Sequence, residues 1–134
     1  MAILHSRDDE RGQALSSFIA VVLAALFLTA GLVIDGGAQS AASRDAHTAA
    51  REAARAAVDA SAASQAAGGT IDVGQATAAG RQLLAERGVT GTIVITGGTV
   101  QVTTTTSVDT LFLGLIGITT LSARGEARAE LFGG

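Results

Sequence analysis

Catalysis and metal binding usually draw on histidine, cysteine and clustered carboxylates, and this 134-residue chain has few of them. There is no cysteine, which removes both thiolate metal sites and disulfides. The two histidines are far apart: His5 lies in a charged N-terminal leader and His47 among alanines, where a lone imidazole reads as a solvated helix residue. Glu126 and Glu130 alternate with Arg124 and Arg128, the pattern of a solvated sheet face rather than an acid/base pair. No glycine run has the spacing of a phosphate-binding loop. The expectation is a protein that is not an enzyme and takes no cofactor, metal or small-molecule substrate. A net charge of −3, with no basic cluster, tryptophan or tyrosine, also argues against a nucleic-acid partner.

One charge carries more information than the rest. Asp35 closes a run from Ala14 to Ile34 that contains no charged residue. It is either a boundary residue at headgroup level or a specific contact made when helices pack, because a charge near hydrocarbon is tolerated best when paired. Arg44 of a neighbouring copy is a candidate partner.

The element that positions Asp35 is the apolar run itself. At about 1.5 Å per residue it covers the ~30 Å hydrocarbon core of a bilayer, so a membrane-spanning helix is expected and the lipid bilayer is the first partner. It is too long for a secretory signal and leads into helix-compatible sequence rather than a cleavage loop. Arg7 and Arg11 favour a cytoplasmic N-terminus. Three segments follow: a charged leader over 1–12, a transmembrane helix over 13–35 and a small exported domain over 36–134.

Beyond Asp35 the chain turns to alanine on a period. Ala42, Ala46, Ala49, Ala53, Ala56, Ala60, Ala63 and Ala67 step by four and three, a stripe on which another helix or a sheet can approach closely. The spacing predicts a helix continuing to about Ala66, on the order of 80 Å in all, with a bend or local melting at Gly36–Gly37. Arg55 and Asp59 are placed to support its exposed face. Asp72 and Gln75 have the spacing of a capping box, starting a second helix that carries Ala76, Ala79, Gly80 and Leu83 on one face and stops at Gly88. From Thr90 the period becomes two. Gly97–Gly98 suits a tight hairpin turn that sets Ile95 opposite Val100 and Ile93 opposite Val102. A final strand alternates Leu121, Ala123, Gly125, Ala127, Ala129 and Leu131 with polar residues. Between the last two strands, the apolar segment around Leu111, Phe112, Leu113 and Leu115 is too short to span a bilayer. It is either a loop folded over the open edge of the core or a contact with the membrane surface or a neighbouring subunit. The expected class is α+β: a long transmembrane helix extending into an alanine-rich helix, a second short helix, and a three-stranded antiparallel sheet packed on them.

The run RGQALSSFIAVVLAALFLTAGLVIDGG, the helix SRDAHTAAREAARAA and the ending TGTIVITGGTVQVTTTTSVDTLFLGLIGITTLSARGEARAEL together resemble the Tad pilus-assembly proteins of the TadE/TadG type. The resemblance implies a minor pilin, pseudopilin or assembly component of the tight-adherence branch of type IV pili. It implies a single-pass protein of the bacterial cell membrane, with other pilins or Tad assembly proteins as partners. It further implies cutting by a prepilin peptidase after Gly12, leaving Gln13 as the new N-terminus. The chain departs from the pattern at Ser17, where many such proteins carry glutamate. The alternative is an unprocessed single-pass protein whose exported domain binds envelope or secretion partners.

Overall fold

The structure, a computed structural model, describes residues 3–131, with side chains described from Asp9 onward, so the reading of His5 lies outside the described side chains. Helix α1 spans Ile3–Ala66, α2 spans Val73–Glu86, and strands β1 (Thr90–Thr96), β2 (Thr99–Asp109) and β3 (Thr120–Glu130) form one antiparallel sheet in that order. A 3₁₀ turn at Leu113–Ile116 sits between β2 and β3. The fold is α+β, with α2 and the sheet both packed on the second half of α1.

Helix α1 runs unbroken through Gly36–Gly37, where the glycine pair alone predicts a bend or melting. Each interior glycine costs about 1 kcal/mol relative to alanine, but the pair is held from both sides by tertiary bonds. Asp35 is bonded to the β2–β3 loop, and Gln39 Nε2 donates to the Ser122 carbonyl at 3.1 Å. The helix has 64 residues, about 96 Å at 1.5 Å per residue.

The alanine stripe is real but shifted. Ala46, Ala49 and Ala53 are buried, Ala42, Ala56 and Ala60 are half-buried, and Ala63 and Ala67 are exposed, whereas Ala50, Ala54, Ala57 and Ser61 are buried as well. A straight helix repeats every 3.6 residues, so a seven-residue reading drifts by about 20° per heptad and slips off the covered line. Coverage by two elements, the sheet and α2, also widens the buried arc. Arg55 and Asp59 do not pair. Among the described residues, the ion pairs are Glu52 with Arg87, which ties α1 to the end of α2, and Arg124 with Glu126.

Asp72 caps α2 as predicted, accepting from the Gln75 N–H at 3.1 Å. Only this half of the capping box forms, because Gln75 Oε1 instead accepts from the Ser64 hydroxyl at 2.9 Å and ties the two helix ends together. The buried face of α2 includes Leu84 in addition to Ala76 and Gly80.

The hairpin register agrees with the sequence reading: Ile93 faces Val102 and Ile95 faces Val100. Gly97 and Gly98 both have positive φ, +59° and +81°, the geometry of a turn that matches strand twist. On β3 the alternation also holds, with Ala123, Gly125 and, just past its end, Leu131 buried and the charged residues exposed. Gly125 sets the distance between sheet and helix. A Cβ there would overlap the Ala46 carbonyl and the His47 nitrogen, backbone atoms that cannot rotate away. Beside it, the buried Thr104 hydroxyl donates to the Ala46 carbonyl at 2.7 Å. His47 is half-buried rather than solvated, and its Nδ1 accepts from the Glu126 N–H at 3.1 Å. Rising residue numbers on α1 (39, 46, 47) therefore meet rising numbers on β3 (122, 125, 126). Strand and helix run the same way, which puts the β2–β3 loop at the apolar end of the domain and the Gly97–Gly98 turn at the far end.

Candidate functional site

Two features of α1 stand out, and they meet at Asp35. The first is the stretch before it. Near the N-terminus α1 is long and apolar enough to span a membrane, and almost none of that stretch is buried by the rest of the chain. Phe18, Val21, Phe27, Leu28 and Val33 are each about two-thirds exposed, while the domain's interior is filled mainly by alanine and valine. The few polar side chains in this stretch are turned into the helix. Ser16, Ser17 and Thr29 donate to the carbonyls of Gly12, Gln13 and Ala25, at 2.9, 2.9 and 2.7 Å. Hydroxyls bonded this way need no water, which suits a lipid-facing helix.

The second feature is a clamp. Asp35 is only 2 % exposed, and its carboxylate accepts three consecutive backbone N–H groups: Leu111 at 2.9 Å on Oδ1, with Phe112 at 3.0 Å and Leu113 at 2.7 Å on Oδ2. Successive N–H groups opening a helical turn converge on a point and make a ready acceptor site for a carboxylate. One turn before Asp35, Gly31 is buried beneath Phe112, and a Cβ at 31 would come 2.5 Å from the Phe112 Cβ. Gly31 and Asp35 thus form one face of α1 that receives the loop, glycine making room for the ring and aspartate holding the backbone.

The loop is built, not merely draped. The Thr110 N–H donates to the Thr119 carbonyl at 3.0 Å, and the Thr110 hydroxyl to that of Ile118. The Leu115, Gly117 and Ile118 N–H groups bond to Phe112, Gly114 and Leu113 carbonyls at 3.0–3.1 Å. Gly117 adopts φ +91°, which lets the turn reverse into β3.

The sequence-derived site residues fall into three groups. Gly12 and Gln13 are exposed positions on the helical N-terminal part of α1. The alanines named as packing residues lie under the chain's own sheet and α2 to the extent described above. Of the loop residues, Leu111 is exposed while Phe112 and Leu113 are half-buried, Phe112 against Gly31 of the helix. The Asp35–loop contact is invisible in the sequence because its donors are backbone groups, which have no signature in residue type. The one hint is the spacing of Gly31 and Asp35 on one helix face, below an uncharged connection longer than a hairpin needs. Among the described residues, no group of three or more His, Cys, Asp or Glu side chains gathers at a point that would hold a metal ion. Compared with known proteins, the chain matches no family model, no curated protein and no solved structure.

Proposed function

We propose that this chain is a membrane-anchored structural protein: a minor pilin or pseudopilin-like component, or an assembly factor, of a Tad-type pilus or related secretion machine. The observation that carries the reading is the division of α1. Its apolar half is bare and its alanine half is wrapped by a small sheet domain. A subunit that is held in a bilayer and later packs in a filament needs this division, because the same bare helix serves both environments. The orientation follows from Arg7 and Arg11, with the N-terminus cytoplasmic and the sheet domain outside. The protein acts by contact, through the bare helix and the domain surface, without catalysis.

A second reading keeps the leader in place. Here α1 continues without a break through Gly12–Gln13, so cleavage requires local unwinding, and an uncut helix would leave a permanent single-pass anchor. Intact mass and N-terminal sequencing, in cells with and without their prepilin peptidase, separate the two. A mature chain that begins at Gln13 only when the peptidase is present supports the pilin reading. A chain that keeps SRDDERG in both strains rejects it in favour of the permanent anchor.

A further inference from the structure

We infer that the β2–β3 loop is a lipid-inserting foot: Leu111, Leu115 and Ile116 enter the outer boundary of the bilayer and fix the height of the domain above it. The inference rests on the reading of α1 as a membrane helix and adds a second, separate point of membrane contact.

Four observations converge. Leu111, Leu115 and Ile116 are 74, 84 and 65 % exposed, the largest apolar side chains that the domain leaves bare in a single segment. They lie in a stretch from Thr110 to Thr119 that has no charged residue. The level of the loop is set by α1, because Phe112 rests on Gly31, four residues or about 6 Å inside the apolar run from Asp35. At that level Leu32, Val33 and Ile34 are themselves exposed, so the loop extends sideways the same apolar surface that the helix presents. Last, the backbone is prepared for lipid. Non-helical backbone is costly in hydrocarbon because unpaired N–H groups have no water, yet here Asp35 accepts those of residues 111, 112 and 113, and carbonyls within the loop accept those of 110, 115, 117 and 118. Asp35 is thus not only a boundary charge. It is the group that permits an irregular loop to sit at the membrane surface, where apolar side chains insert about 5–10 Å.

The lack of native cysteine allows a direct test. Single variants L115C, L111C, V21C and T92C of the full chain are labelled with a small fluorophore. They are then reconstituted in vesicles of 3:1 phosphatidylcholine and phosphatidylglycerol carrying doxyl-labelled lipid. Thr92 is exposed on β1, away from the loop, and is the aqueous control; Val21 reports the helix. Shallow doxyl groups quenching the labels at 115 and 111 severalfold more than the label at 92, with deep quenching at 21, is the expected result. Quenching at 21 with 115 and 111 no different from 92 overturns the foot and leaves the membrane helix standing. No quenching at 21 overturns both. If unlabelled L115C forms disulfide-linked dimers and the labels at 115 and 111 show no lipid quenching, a second copy of the chain replaces the lipid.

Discussion

One helix carries two opposite surfaces. From Ala46 to Ser61 α1 is covered along one face, and what that face buries is small: alanine, with a serine hydroxyl returned to the Val58 carbonyl at 2.7 Å. From Ala14 to Ile34 it is bare except at Gly31, and what it exposes is large: phenylalanine, leucine, isoleucine and valine. A water-soluble protein would reverse this, since a leucine or phenylalanine contributes about 1.5–3 kcal/mol when removed from water and alanine much less. The contrast shows that packing distance is what the alanines provide, while the other half is long and apolar enough to span a membrane. It also explains why the two halves need different supports. The enclosed half is held by close backbone approach, and the junction is held by a carboxylate.

The largest expected effect therefore falls on the enclosed half. Gly125→Ala places a methyl group against the Ala46 and His47 backbone, and chemical denaturation in detergent should show a loss of about 3 kcal/mol or more, with α1 and β3 forced apart. A loss below about 0.5 kcal/mol would mean that close approach is not what holds this half. Next is Ala53→Leu, fully buried, with an expected cost of about 1–3 kcal/mol against little change for Arg51→Ala on the exposed side. Equal, negligible effects at both positions would remove the stripe as a packing surface.

At the junction the effect should be local. Asp35→Ala releases three N–H groups, so amide exchange at residues 111–113 should accelerate on the order of tenfold or more while β1 and the α2 core stay protected. Unchanged exchange there would show that the loop does not depend on the carboxylate. The smallest effect has the opposite sign. A Cβ added at Gly36 or Gly37 would meet no atom within 4 Å, so alanine at either should stabilise α1 by roughly 0.5–1 kcal/mol, read as a rise in melting temperature. Destabilisation would mean that flexibility or a close contact at this joint matters to the two halves.

Much of this architecture follows from residue order alone. The apolar run determines a helix of bilayer length, because hydropathy and rise per residue are local properties. Period-two alternation with Gly97–Gly98 determines the hairpin register, since a one-residue slip would turn Ile93, Ile95, Val100 and Val102 to the wrong face. Asp72 determines the start of α2, because a cap bonds within its own turn. Tertiary structure decided the rest. The buried line on α1 depends on which two elements cover it and on the drift between 3.5 and 3.6, so Ala50, Ala54 and Ala57 join it where Ala63 and Ala67 do not. Gln75 leaves its capping role for Ser64 on another helix, and His47 leaves solvent for the Glu126 N–H. The clamp is the clearest case: Asp35 and Leu111 are 76 residues apart, and the groups that join them are a side chain and backbone N–H donors that every non-proline residue carries. Only the fold, by running β3 along α1 in the same direction, brings that loop to that carboxylate.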